Sequence, residues 1–67
     1  MDKFGNFEKY DYVEHRQKPL QIFGYVVDYV YVHGVQYIAV SEDKRLNSGE
    51  WYYGNHFRKG YEKKVIN

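Results

Sequence analysis

The sequence predicts a small all-β domain, a five-stranded barrel with one short helical turn near its C-terminus. The middle of the 67-residue chain is crowded with Val, Ile, Tyr and Phe, the residues that suit a pleated sheet. Glycines at positions 24, 34, 49, 54 and 60 divide the chain into short segments. Because there is no Cys, no disulfide or thiolate metal site is available. Closure of the sheet would then protect its edges.

The first elements are an N-terminal arm and a short strand. Residues 1–8 carry too little pattern to place and are expected to form a flexible arm, which leaves residues 9–67 as one domain. Over residues 9–16, Tyr10 and Tyr12 share one face and Val13 takes the other. Pro19 then ends or bends the chain in a loop.

The longest predicted strand runs over residues 21–33, and its alternation separates two faces. One face carries Phe23, Tyr25, Val27, Tyr29 and Tyr31, and the other carries Ile22, Gly24, Val26, Asp28, Val30 and Val32. We expect the Val-rich face to be buried and the Tyr rings to cover the opposite face. Asp28 lies in mid-strand on the Val-rich face. Either the strand twists so that Asp28 reaches water, which we favour, or its carboxylate bonds a buried partner.

Two glycines shape this region. An isolated Gly inside a strand indicates a sharp bend or the close approach of another backbone, so Gly24 is expected to bend the long strand until it serves two sheets. His33 and Gly34 predict a tight hairpin turn into a second strand over residues 35–41, since Gly supplies the positive φ that such turns need.

The remaining elements are shorter. Residues 42–49 form a polar loop, and residues 50–54 form an aromatic strand. Asn55 is expected to cap one helical turn over residues 55–58. A final strand is predicted over residues 61–66.

Two local stretches resemble the eukaryotic Src-homology-3 domain. Tyr10-Asp11-Tyr12 is similar to the Tyr-Asp-Tyr signature of that family, and residues 48–53 (SGEWYY) resemble its Gly-Asp/Glu-Trp-Trp strand, with Gly60-Tyr61 as a weaker match. The resemblance implies a Src-homology-3-like barrel. In that family the paired tyrosines and the Trp form a groove for left-handed Pro-rich peptides. Here residues 62–65 replace the closing Pro-Ser-Asn-Tyr pattern, and the loop over residues 13–18 is mixed to basic rather than acidic. We therefore take the resemblance as an indication of barrel shape.

The composition also resembles that of small proteins from phages of low-GC Gram-positive bacteria. The chain is rich in Lys, Tyr and Asn, and it combines a Gly-Tyr-Val-Val-Asp strand with a late Trp-Tyr-Tyr-Gly strand. This resemblance implies an accessory protein that binds and modulates a host protein. No apolar leader is visible, and the apolar stretch over residues 22–40 is too polar to cross a bilayer, so a cytoplasmic location (the host cytoplasm, if phage-encoded) is expected.

Catalysis finds little support in the sequence. Neither a nucleophile motif, a Gly-rich phosphate loop nor a pair of carboxylates with catalytic spacing is present. His15, His33 and His56 fall in three different segments, and a zinc site would need them brought together with a carboxylate. We expect neither an enzyme, a cofactor nor a metal.

The surplus of aromatic side chains is the main functional indication. Nine Tyr, four Phe and one Trp exceed what one small core can hide. Tyr and Trp are enriched at binding hot spots, so a protein-binding patch is predicted. Its candidate residues are Tyr25, Tyr29, Tyr31, Trp51, Tyr52 and Tyr53. Two alternatives stay open: the patch could be a homodimer interface, or merely the edge of the core with its hydroxyl groups in water.

A second function is the binding of single-stranded nucleic acid. Bases would stack on Tyr and Trp, and phosphates would contact a basic C-terminal segment. The candidate anion contacts are Arg58, Lys59, Lys63 and Lys64. The formal net charge of only +1 disfavours this function, so protein binding is the preferred prediction.

Overall fold

The computed structural model describes residues 6–60 as five antiparallel strands and one 3₁₀ turn, which confirms the all-β prediction. The elements are β1 (Tyr12–His15), β2 (Phe23–Val32), β3 (Val35–Ser41), β4 (Glu50–Tyr53), the 3₁₀ turn (Gly54–His56) and β5 (Phe57–Lys59). They form one sheet in the order β4-β3-β2-β1-β5. Over residues 6–60 this sheet is open, so the predicted closed barrel is not found in this part of the chain. The predicted final strand, residues 61–66, lies outside the described residues.

The helical turn begins one residue earlier than predicted and ends sooner. Gly54–His56 form the 3₁₀ turn, and no side chain caps it. Phe57 and Arg58 belong instead to β5, where Phe57 pairs with His15 of β1. Phe57 is fully buried, and its burial in the core outweighs the local capping preference of Asn55. No helix within residues 6–60 has the length and apolar character needed to cross a membrane.

Gly24 allows β2 to approach β3 closely, whereas the predicted bend into two sheets is not found over residues 6–60, whose strands form one sheet. Residues 23–25 of β2 pair with β1, and residues 25–32 pair with β3, so one strand serves both halves of the sheet. Gly24 has a φ of +150°, and a Cβ at this position would lie 2.4 Å from the carbonyl oxygen of Ser41. Both the positive φ and the close approach of a second backbone therefore require Gly here.

A β-bulge at Val27 changes which face each later residue of β2 occupies. Val26 pairs with Val40 and Asp28 pairs with Ala39, so Val27 is an extra residue without a partner. The prediction of a continuous buried Val-rich face is therefore wrong beyond Val26, and Val30 is exposed. Asp28 is also exposed, as favoured, although the cause is the bulge rather than strand twist alone.

The predicted hairpin between β2 and β3 is confirmed. Val32 pairs with Val35, which leaves His33 and Gly34 as a two-residue turn. Both have positive φ angles, 51° and 79°, as a type I′ turn requires. The turn fixes the register of the two strands that carry most of the exposed aromatic surface.

The core includes a residue from the segment predicted to be an arm. Its buried cluster consists of Phe7, Val13, Val26, Ile38, Val40 and Phe57. Phe7 is held there by Gln36, whose side-chain amide bonds both backbone groups of Phe7. The described part of the arm therefore packs against the sheet, whereas residues 1–5 lie outside the described residues.

Candidate functional site

The strand register divides the predicted aromatic patch between the two faces of the sheet. Directly opposite residues in antiparallel strands project to the same face. Tyr29 pairs with the fully buried Ile38, so Tyr29 lies on the core face. Trp51 pairs with Ala39, the next residue along β3, and lies on the opposite face. The predicted residues thus do not form one surface.

Three of the predicted residues close the edge of the core. The Tyr29 and Tyr31 rings stand edge to face at 5.8 Å, and the Tyr31 hydroxyl donates to Asn6 Oδ1 at 2.9 Å. The Tyr52 ring packs 5.2 Å from that of Phe57. Its hydroxyl donates to Glu50 Oε2 at 2.7 Å, and this bond, followed by burial, raises the pKa of Tyr52. Intramolecular contacts therefore hold these three rings in place, although Tyr31 still exposes 55% of its surface and Tyr29 exposes 37%.

The opposite face of β2, β3 and β4 carries an exposed apolar surface. We call it the outer aromatic face, and it consists of Val30, Val32, Val35, Tyr37, Trp51 and Tyr53. Trp51 exposes 51% of its surface, and Val30, Val32 and Tyr37 expose between 39% and 47%. Ala39 lies beneath these side chains and is buried. Apolar residues on three adjacent strands are thus exposed side by side.

Tyr53 connects the outer aromatic face to the 3₁₀ turn. Its ring lies 5.7 Å from the Tyr37 ring and 4.9 Å from the His56 ring, in an edge-on contact. Asn55 Nδ2 donates to the Tyr53 hydroxyl at 3.0 Å. These contacts hold Tyr53 in one orientation, so the end of the face nearest the 3₁₀ turn is preorganised.

The sixth predicted residue, Tyr25, lies in a different neighbourhood. Its ring meets that of Tyr12 edge-on at 5.4 Å, and Lys44 Nζ lies 5.6 Å from its centre. Tyr12 and Tyr25 line a cavity of about 430 Å³ with Leu20. Trp51 lies on β4, and two strands separate it from Tyr12 on β1. The Tyr and Trp motifs of the Src-homology-3 resemblance are therefore not on adjacent strands.

A second feature lies beyond His56, where a cavity of about 620 Å³ opens between the 3₁₀ turn and the loop after β1. We call it the basic groove, and its side chains include His15, Arg16, Lys18, Ile22, His56 and Arg58. No carboxylate of residues 6–60 is among the residues that line it. The Arg16 backbone N–H donates to the His56 carbonyl at 2.9 Å, which ties the two walls together.

His15 has a defined protonation geometry at the floor of the basic groove. Its Nδ1 accepts the backbone N–H groups of Gln17 at 3.1 Å and Lys18 at 3.2 Å. An Nδ1 that accepts hydrogen bonds carries no proton, so Nε2 bears the N–H of the neutral ring. Burial, then the charges of His56 and Lys18, lower the pKa of His15 below its ordinary value of 6.5.

Two of the four predicted anion contacts, Arg58 and Lys59, lie within the described residues. Arg58 donates from Nε and Nη2 to Glu14 Oε1, each at 3.0 Å, and Lys59 lies 3.6 Å from Asp11 Oδ2. These acidic neighbours offset both positive charges. Lys63 and Lys64 lie outside the described residues.

Two features of the site were not predicted from the sequence. One is the location of Val30 and Val32 on the outer aromatic face, and the other is the contact between the His15 and His56 rings. The bulge depends on how β2 packs against β3, and the sequence Val26-Val27 does not by itself indicate one. The two histidines are 41 positions apart in the chain, and their rings approach to 5.9 Å only because β1 and β5 pair. The chain order alone does not predict that pairing.

The described histidines and carboxylates do not gather into a metal site. Over residues 6–60 no group of three or more such side chains has suitable geometry.

Comparison of the chain with models of protein families, with curated proteins and with solved structures finds no match. The function must therefore be inferred from the two surfaces themselves.

Proposed function

We propose that the protein is a small, non-enzymatic protein–protein interaction module that binds its partner through the outer aromatic face. The observation that carries this proposal is the exposure of Val30, Val32, Tyr37 and Trp51 on three adjacent strands. A contiguous apolar patch on a soluble domain is typical of an interaction surface. Trp and Tyr are the side chains that contribute most often to binding hot spots.

The bulge at Val27 supports a role for this face. Without the extra residue, the strict alternation of β2 would place Val30 and Val32 on the core face and Tyr29 and Tyr31 outside. The bulge instead turns these two Val side chains to the outer face, where they expose 45% and 47% of their surface. A small domain has little apolar surface to spare, so this exposure is best explained by burial against a partner.

We further propose that the complete fold is a Src-homology-3-like barrel. In support, the long strand β2, with Gly24 at a positive φ, pairs with both β1 and β3, and a 3₁₀ turn precedes β5. Nuclear Overhauser contacts between residues 61–66 and an edge strand of the sheet would support closure. Their absence in a folded sample would contradict it.

The composition indicates where a partner should be sought. Its resemblance to small phage proteins makes a bacterial host protein the first class of partner to examine. Nucleic acid is less favoured because the formal net charge of the chain is only +1. We therefore expect no retention on a single-stranded DNA column at about 50 mM salt.

The test compares proteins captured by the wild type with those captured by two matched variants. Trp51→Glu places a charge on the β4 side of the outer aromatic face, at its largest exposed side chain, and should abolish capture of the specific partner. Leu46→Glu introduces the same charge at a side chain of nearly equal exposure, 53% against 51%, in the loop between β3 and β4. Quantitative mass spectrometry should identify a protein that Leu46→Glu retains and Trp51→Glu loses.

Two results would contradict the proposal. One is a specific partner that both variants retain, with folding verified by amide NMR spectra. The other is a homodimer, seen by sedimentation, that Trp51→Glu dissociates, because the face would then be covered by a second copy of the chain.

A further inference from the structure

The outer aromatic face is too small to form a stable interface alone. A buried aromatic side chain contributes about 150–250 Å², so the half-exposed side chains of this face offer on the order of 300 Å². Specific interfaces bury about 800 Å² on each partner. A partner that binds here must therefore extend onto neighbouring surface, and its chemistry follows from what lies next to the face.

The basic groove is the neighbour on the side of the 3₁₀ turn. The edge-on contact between the Tyr53 and His56 rings, at 4.9 Å, joins the last residue of the face to the groove wall. The surface thus changes from apolar to basic across adjacent side chains. A continuous ligand segment would meet both environments in succession.

The charges of the groove are suited to carboxylates. Arg16 and Lys18 line it, and no carboxylate within residues 6–60 ion-pairs with Lys18. Neutral His15 presents an Nε2–H donor because its Nδ1 accepts two backbone N–H groups. Arg58 also lines the groove, although its bonds to Glu14 reduce its net charge. Arg16 Nη1 already donates to the Asn55 carbonyl at 3.5 Å, so Lys18 and the His15 Nε2–H are the donors on which the binding of a carboxylate depends.

We propose that the basic groove binds an acidic segment, rich in Asp or Glu, of the protein partner that packs on the outer aromatic face. This inference rests on the proposed function, since it extends the same interface. A short acidic peptide fits better than a nucleic acid. The groove offers only a local cluster of positive charge, and the formal net charge of the chain is only +1, which gives little long-range attraction for the extended phosphate backbone of a nucleic acid.

The test titrates the protein with a capped hexaglutamate peptide at low salt and follows the histidine ring signals by NMR. His15 and His56 lie in the groove, whereas His33 lies in the hairpin turn and serves as an internal control. We expect saturable shifts of the His15 and His56 signals and none of His33. Lys18→Glu should weaken binding about five- to tenfold. Lys44→Glu, with the same charge change outside the groove, should leave it nearly unchanged.

Equal shifts at all three histidines, or equal losses in the two Lys variants, would overturn the inference, because binding would then reflect net charge alone. Groove binding of a dT hexanucleotide without binding of hexaglutamate would also overturn it. The Trp51→Glu variant should still bind hexaglutamate. The two proposals can therefore fail independently. Hexaglutamate binding tests the basic groove, and capture of the partner tests the outer aromatic face.

Discussion

The side-chain amide of Gln36 bonds the backbone of Phe7 twice. Gln36 Oε1 accepts the Phe7 N–H at 2.7 Å, and Gln36 Nε2 donates to the Phe7 carbonyl at 2.7 Å. Gln36 is 2% exposed, and the pair reproduces the two hydrogen bonds that a neighbouring strand would supply. A segment outside the five strands is thereby attached to the core face of β3, which allows the Phe7 ring to join the core.

Replacing Gln36 by Glu should strongly destabilise the protein. The change removes the donor to the Phe7 carbonyl and places a buried carboxylate beside that oxygen. We expect a loss of about 2–4 kcal/mol in the free energy of unfolding at neutral pH, measured by urea denaturation. Gln21→Glu, at an exposed position, should change it by less than about 0.5 kcal/mol. Equal small effects would show that Phe7 does not depend on Gln36.

Gly24 should tolerate no side chain. A Cβ would lie 2.4 Å from the Ser41 carbonyl oxygen, and the φ of +150° is strained for any L-residue. Gly24→Ala should therefore cost at least about 2 kcal/mol in thermal or urea unfolding. At Gly34, also at positive φ, no atom lies within 4 Å of a built Cβ, so Gly34→Asn should cost less than about 1 kcal/mol. A mild effect at Gly24 would contradict the close approach of β2 and β3.

The bulge at Val27 predicts different costs for two chemically identical changes in β2. Val26→Thr places a hydroxyl in the core and should cost about 1–3 kcal/mol of unfolding free energy. Val30→Thr alters an exposed side chain and should cost less than about 0.5 kcal/mol. Regular alternation would turn both side chains toward the core face and predict more similar losses, so matched urea curves for the two variants would argue against the bulge.

Acid should destabilise the protein through His15. Its pKa is lowered on folding, mainly by burial, so below its ordinary value of 6.5 the unfolded chain binds this proton more readily than the folded one does. This contribution to stability is complete above pH 6.5 and is lost as the pH falls toward the folded pKa. His15→Asn keeps a side-chain acceptor for the backbone N–H groups of Gln17 and Lys18 but cannot titrate.

The urea midpoint of the wild type should therefore fall between pH 7.5 and pH 5.5, and the midpoint of His15→Asn should fall less. An identical pH dependence in the two proteins would mean that His15 is not the responsible group.

Local chemistry made several parts of the fold predictable from the sequence. The hairpin at His33-Gly34 and the close approach of another backbone at Gly24 follow from backbone freedom that few residues other than Gly possess. The bulge was not predictable, since Val26 and Val27 have the same propensities and only packing against β3 decides which one pairs. As a result, Trp51 was placed with Tyr29, from which the sheet itself separates it.

In the candidate site, too, local sequence predicts some features, whereas others depend on how distant strands pair. The abundance of Tyr and Trp indicated an excess of aromatic surface, and Trp51 and Tyr53 do lie on the outer aromatic face. Tyr37, which pairs with Val30, also lies on this face and was not among the predicted residues. The basic groove arises from residues far apart in the chain that meet when β1 and β5 pair.

The most direct test of the outer aromatic face uses the single Trp of the chain. Protein labelled with 5-fluorotryptophan should give one ¹⁹F signal, from Trp51. Addition of the partner identified by the comparison of Trp51→Glu with Leu46→Glu should shift and broaden that signal, to the same extent in the wild type and in Leu46→Glu. An unchanged Trp51 signal in a complex whose formation is verified by sedimentation would contradict the proposed interface.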